Sequence, residues 1–137
     1  MTQEQKDQVK WSWGQVARLE PVVVGGLFYN RLFEIAPEVK SLFRNAIPEQ
    51  SKKLIAMIGY VINKLDSLDE IQDEVGKLAR RHIQYGVKEE HYAVVGSALL
   101  WTLEKGLEQH WTEDLKDAWT TCYTILSSAM MSVEAKV

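Results

Sequence analysis

The sequence predicts an all-α fold, and three observations carry that prediction. Apolar residues recur at spacings of three and four along nearly the whole chain. No segment alternates with the period of two that a half-buried strand requires. The three prolines, Pro21, Pro37 and Pro48, stand where helices begin or end, the positions proline tolerates. At roughly 100–200 residues per domain, 137 residues predict one compact domain, with no room for a second catalytic module.

Each element follows in turn. Thr2, with Gln5 three residues on, caps a first helix that carries Val9, Trp13, Val16 and Ala17 on one face. Pro21 opens a second helix through Leu27, Phe28, Tyr29, Leu32 and Phe33, which ends before Pro37 because a residue preceding proline is pushed out of the α region. An irregular stretch from Pro37 to Ile47 is anchored by Leu42 and Phe43. Pro48 opens the clearest helix, where Leu54, Met57, Ile58, Val61, Ile62 and Leu65 form an apolar stripe. After the polar link Asp66 to Glu70, the residues Ile71, Val75, Leu78 and His82 step by four, three and four, so His82 falls on the inward face. Gly86 ends that helix in a left-handed conformation. Tyr92, Val95, Gly96, Leu99 and Leu103 mark the next helix. Thr112, followed by Glu113 and Asp114, caps a last one with Leu115, Trp119, Cys122, Leu126, Met130 and Val133 inward.

Composition removes several function classes. A lone cysteine, Cys122, cannot make an internal disulfide, so a disulfide framework is excluded and a reducing cytoplasm is expected. Sixteen basic against nineteen acidic side chains give a net charge of −3, with no basic cluster to neutralise a line of phosphates, and nucleic acid is not an expected partner. The longest apolar run, around Pro21 to Tyr29, is far short of the ~20 residues that span a bilayer. The segment from Thr2 to Asp7 is too polar for a signal peptide. His82, His91, His110 and Cys122 lie at intervals of 9, 19 and 12, too scattered for an all-protein metal cage. His91 and His110 read as exposed or loop residues, Cys122 as an inert core thiol, and most of Trp11, Trp13, Trp101, Trp111 and Trp119 as packing residues.

The residues alone leave His82 open between two roles: a core imidazole bonded to a carbonyl, or a ligand. Gln50 at the start of the helix opened by Pro48, and Tyr29 amid apolar neighbours, are two more inward polar groups. A histidine from one side with a phenol and an amide from another can enclose an iron-bound cofactor, since haem asks one nitrogen of its protein and leaves the opposite face for a gas.

Across essentially its whole length the chain resembles the globin family, and within it the bacterial single-domain haemoglobins and the haem domain of flavohaemoglobins. The resemblance rests on Leu27-Phe28-Tyr29 with Leu32-Phe33, Ala36-Pro37-Glu38-Val39, Leu42-Phe43 and Glu49-Gln50-Ser51-Lys52-Lys53-Leu54. It continues through Arg81 to Val87, His91 to Gly96, Asp117-Ala118-Trp119 and Tyr123. Singly these are weak; the ordered set, with His82 thirty-two positions after Gln50, is specific. The resemblance implies a three-over-three globin fold over residues 1–137 around haem b. It makes His82 the proximal iron ligand, Phe43 the phenylalanine stacked on the haem, Leu54 the apolar residue above the iron, and Tyr29 and Gln50 the distal donors. Tyr92, ten residues after His82, and Glu134, eleven after Tyr123, match the tyrosine and glutamate that hydrogen-bond the proximal histidine of flavohaemoglobins.

Those residue types make chemical sense. A metal-bound imidazole donates its other N–H to an outer acceptor, which fixes its orientation and raises its basicity. With Glu134 as that acceptor, held by Tyr92, electron density is pushed toward the iron and oxygen activation is favoured over simple carriage. On the opposite face, Tyr29 and Gln50 stabilise dioxygen as it gains negative charge. The expected function is therefore dioxygen binding used for nitric oxide dioxygenation to nitrate, with electrons from a separate reductase, because the flavin and nicotinamide domains of flavohaemoglobins do not fit in this length. Oxygen storage, scavenging or delivery without catalysis is the alternative. A haem-free globin-like module acting in protein–protein signalling is a third, since fold does not imply function.

Overall fold

The computed structural model describes residues 1–43 and 46–135, the side chains of residues 133–135 excepted. Six α-helices carry the fold: α1 (Gln3–Val16), α2 (Pro21–Ile35), α3 (Ile47–Asn63), α4 (Gln72–Gln84), α5 (Glu89–Leu107) and α6 (Glu113–Ala135). Among the described residues there is no strand. Each start has a local cause. Thr2 and Gln5 form a reciprocal capping box, with the Gln5 amide donating to Thr2 Oγ1 at 3.1 Å. Pro21 sits in the first turn of α2, and the Leu115 amide donates to Thr112 Oγ1 at 3.1 Å at the head of α6. Gly86, at φ +89°, takes the left-handed conformation that ends α4.

Four expectations are corrected. Ala17 is exposed, because α1 stops at Val16 and Ala17 is its C-cap; Ser12 is fully buried on that face instead. The stretch after Pro37 is ordered as a 3₁₀ helix, Pro37–Leu42. Leu65 does not continue α3 but begins a second 3₁₀ segment, Leu65–Ile71, broken at Ser67 (φ −141°, ψ 46°), where a link was expected. His91 is a half-buried helical residue: its Nδ1 accepts the Lys88 amide at 2.9 Å and so caps α5. The inward placement of Val133 lies outside the described side chains.

The helices stack as α1, α3 and α4 over α2, α5 and α6, with the main cross-layer contacts α2 on α3, α1 on α6 and α4 on α6. One core joins α1, α5 and α6. Val9, Val16, Leu103 and Ala118 are at most 1% exposed there, around Trp13 and Trp119, whose rings lie 6.1 Å apart. The Trp119 indole N–H donates to Ser12 Oγ at 2.9 Å, and Ser12 in turn donates to the Gln8 carbonyl at 2.7 Å, so the polar groups in this core are paired. No helix among the described residues is long and apolar enough to cross a membrane.

Candidate functional site

The site begins where α2 crosses α3. A β-carbon added at Gly25 would overlap the Ser51 side chain, and Ser51 is fully buried, so the two helices meet there with nothing between them. Tyr29 stands one turn beyond Gly25 and Gln50 is the neighbour of Ser51. The crossing therefore delivers the two polar side chains to the same place, and they share a side-chain hydrogen bond.

Tyr29 is 2% exposed and ringed by aromatics: Phe28 at 4.9 Å, Phe43 at 5.2 Å and Phe33 at 6.1 Å between ring centroids. Phe33 and Phe43 also meet edge to face at 5.6 Å, which fixes the cage from outside. Burial pushes the Tyr29 phenol up to about 12, against the opposing pull of the Gln50 hydrogen bond. At physiological pH the hydroxyl therefore keeps its proton and can donate it. Leu54, Leu42, Ile47, Val94, Val95 and Leu99 pack on this cluster while staying partly open, a wall of apolar side chains that the protein does not fully cover.

A second wall belongs to α4, whose main packing is on α6 and not on α2 or α3. Ala79, Tyr92 and Met130 form a small cluster there, joined by Val75, Leu78, Val87 and Met131. His82 lies on the same stripe as Val75 and Leu78. Its Nδ1 is 2.8 Å from the Leu78 carbonyl oxygen; a carbonyl only accepts, so Nδ1 carries the proton and Nε2 presents its lone pair. Burial holds the His82 pKa below its ordinary value, the Leu78 carbonyl pulls the other way, and the neighbouring Arg81 charge lowers it further. The imidazole is thus neutral at neutral pH, the form that ligates metals.

Two links join the walls. A β-carbon at Gly86 would sit 3.5 Å from a Leu42 methyl, so the turn after α4 leans on the segment leading to Phe43. Helix α5 sends Tyr92 to one cluster and Val94 and Val95 to the other. Tyr92 is 7% exposed, and its carbonyl accepts the Tyr123 hydroxyl at 2.6 Å. Gly96 makes that bond possible, for a β-carbon there would come within 2.8 Å of the Tyr123 ring. Burial, then the charge of Tyr92, drives the Tyr123 phenol well above its ordinary range.

The structure thus brings Tyr29, Gln50, Phe43 and Leu54 together, and sets Tyr92 in the cluster that α4 joins through Val75, Leu78 and Ala79, the last two within one turn of His82 in sequence. Glu134 belongs to the last turn of α6, but its side chain lies outside the described residues. Sequence reasoning missed the Leu78 carbonyl as the partner of His82, because a backbone acceptor has no residue signature. It missed the Gly25–Ser51 crossing too, for which a glycine one turn before an inward tyrosine was the available signal.

The donor set fits a haem. It offers one neutral nitrogen oriented by a carbonyl, apolar side chains left partly open, Phe43 among them, and two hydrogen-bonding polar side chains, Tyr29 and Gln50, that meet each other. Among the described residues no group of three His, Cys, Asp or Glu side chains could hold a metal ion by itself.

The globin family model matches residues 26–130. Neuroglobin-1 of Oncorhynchus mykiss is 30% identical over 150 aligned positions, covering 99% of this chain and 94% of its own. A bacterial globin from Campylobacter jejuni superposes with a TM-score of 0.85 at 28% identity, covering 98% of this chain and 97% of its own. An engineered carbene transferase from Rhodothermus marinus, whose parent carries a provisional assignment as a nitric oxide dioxygenase, gives 0.87 at 26% identity, covering 99% and 94%.

Proposed function

We propose that this chain, which belongs to the globin family, binds haem b through His82 Nε2, takes dioxygen beside Tyr29 and Gln50, and converts nitric oxide to nitrate with electrons from a separate reductase. The observation that carries the reading is the hydrogen-bonded Tyr29–Gln50 pair, caged by Phe28, Phe33 and Phe43, in a chain that also holds a neutral, carbonyl-oriented imidazole at His82. Haem, when bound, supplies an iron that takes one protein nitrogen, leaves its other face to a diatomic gas and passes single electrons.

The chain's own residues do the rest. Leu78 fixes the His82 ring so that Nε2, not Nδ1, is offered. Phe43 and Leu54 exclude water. Tyr29, protonated at any physiological pH, donates to the oxygen ligand, and the Gln50 amide adds a second donor. At about 1 kcal/mol or more per buried bond, each slows loss of the ligand by roughly tenfold. Nitric oxide, dioxygen and one electron balance to nitrate, so each turnover asks the reductase for one electron. Tyr92 and Glu134 belong to the proposal on the His82 side: a Glu134 carboxylate taking over the Nδ1 proton from the Leu78 carbonyl makes the imidazole more basic and strengthens the push toward the iron.

The same two donors also suit a protein that stores or delivers oxygen without chemistry. A nitric oxide electrode and a nitrate assay on the haem-loaded chain, with NADPH and a flavin reductase, separate the readings. Nitrate formation well above the reductase alone is expected; consumption no faster than that blank leaves oxygen retention as the function. A chain that develops no Soret band on haem addition refutes both.

A further inference from the structure

A cleft of about 360 Å³ lies away from the Tyr29–Gln50 crevice, where the second 3₁₀ segment and the first half of α4 meet α6. Its walls are apolar, with Leu68, Ile71 and Val75 on one side and Ile125, Leu126 and Ala129 on the other. The polar side chains of the lining are Asp69, Gln72 and Ser132. Both the size and this mixture, a mostly apolar surface with a few polar groups, are those of small-molecule sites, which run to ~300–1,000 Å³.

Gly76 completes the α4 wall. A glycine inside a helix destabilises it, and three other glycines of this chain have an evident cause. Ser51 and Tyr123 stand where β-carbons on Gly25 and Gly96 would go, and Gly86 is left-handed. At Gly76, which is buried, an added β-carbon would meet only the end of the Arg80 side chain, at 3.7 Å. That is an ordinary contact with a flexible group outside the cleft lining, so packing does not demand the glycine. Gly14 and Gly26 are equally unconstrained, but they are exposed and half-buried and line no part of this cleft. What the missing side chain leaves at Gly76 is room.

Asp69 is the charged group of the lining. Its acidic neighbours are tied to lysines: Asp66 to Lys6 and Lys10, Glu70 to Lys64 at 3.9 Å, and Glu74 to Lys77 at 3.7 Å. Asp69 is exposed, and among the described residues no cation stands within ion-pair distance of it.

We infer that this cleft binds a small amphiphilic amine, its alkyl or aryl body against Leu68, Ile71, Val75 and Leu126 and its ammonium on Asp69. The site goes beyond the proposed function and does not depend on it. It lies in the seam with α6 that is the main packing of α4, and His82 follows Gly76 by six residues on that helix. An occupant therefore braces the helix that carries His82.

The probe is 2-phenylethylamine, titrated calorimetrically into the haem-loaded chain. Heat reports binding and the Soret band reports haem, so this inference and the functional reading fail separately. One site with a Kd below about 1 mM is expected, the scale that nine non-hydrogen atoms allow. The neutral 2-phenylethanol should bind less tightly, and 3-phenylpropionate, with a carboxylate head, least. Asp69→Asn is expected to weaken the amine by roughly three- to fivefold, as for an exposed ion pair, and to leave the alcohol unchanged. Gly76→Leu, which fills the cleft, should cost both ligands roughly tenfold or more, whereas Gly14→Leu, in open space on α1, stays within about twofold. Gly76→Ala guards against a leucine variant that does not fold: it should weaken binding and raise the melting temperature. No saturable heat, a carboxylate that binds as tightly as the amine, or wild-type affinity in Gly76→Leu overturns the proposal. A lowered melting temperature in Gly76→Ala does so too, because packing would then be the reason for the glycine.

Discussion

The two halves of this molecule are built from similar residues and finished differently. Around α1, α5 and α6 the apolar side chains are closed over, with Val9 and Ala118 at 0% exposure and the Trp119 indole paired with Ser12. Around Tyr29 a larger share stops half-covered: eight partly open side chains, Phe43, Leu54, Val94 and Val95 among them, pack on six buried ones, against eight on twelve in the other core. Fully burying one such side chain contributes about 1.5–3 kcal/mol, so the first half gains more from burial and the second forgoes part of that gain. Polar groups differ too: Ser12 satisfies an indole from another helix, Tyr29 and Gln50 bond to each other across two helices, and His82 is bonded to a carbonyl of its own helix.

The largest break in that comparison is His82→Ala. Haem content, read as Soret absorbance per chain, is expected to fall more than tenfold while far-UV circular dichroism is unchanged; full haem retention would remove the proximal assignment. Trp119→Ala strikes the other half and is expected to cost ~3–5 kcal/mol in chemical denaturation, with a normal spectrum in the molecules that remain folded.

Tyr29→Phe is smaller in energy and confined to the crevice. Oxygen dissociation is expected to accelerate by roughly tenfold, about 1.4 kcal/mol, with little change in stability. With the Tyr29 phenol near 12, the wild-type dissociation rate should stay flat from about pH 6 to 10. A break well below that range would assign the donor to another group.

The smallest effect belongs to Asp66, exposed and held by Lys10 and Lys6. Those lysines hold its carboxyl below the ordinary 3.8, so its contribution is complete above that value and is lost as pH falls through the lowered one. Asp66→Asn should flatten the acid limb of the stability curve, and moderate salt should produce the same flattening in the wild type.

Much of this was legible in the sequence, and the misreadings have physical causes. Proline, the Thr2 and Thr112 caps and three-four spacing located all six helices. Periodicity points Ala17 inward because the pattern continues past the point where the chain stops being helical, and it does not mark Ser12, because a buried hydroxyl that donates to its own helix looks like a surface residue in sequence. The 3₁₀ turns at residues 37–42 and 65–71 lack the long stripe that announces an α-helix. In the site, side chains were readable and backbone partners were not: His82, Tyr29 and Gln50 announce themselves, whereas the Leu78 carbonyl that turns His82 could belong to any residue.

The meeting of Gly25 with Ser51 sets how the crevice responds to heat and to mutation. Elsewhere in the molecule a poor fit can be relieved by turning a side chain; at this crossing turning the Ser51 hydroxyl relieves little, because its β-carbon and backbone already stand against Gly25. Tyr29 and Gln50 are in effect two prongs of a single rigid fork. Warming or substitution can spread them only by prising two whole helices apart, so the pair should lose its grip on a ligand in one step, and tuning one prong without disturbing the other requires changes beyond the crossing.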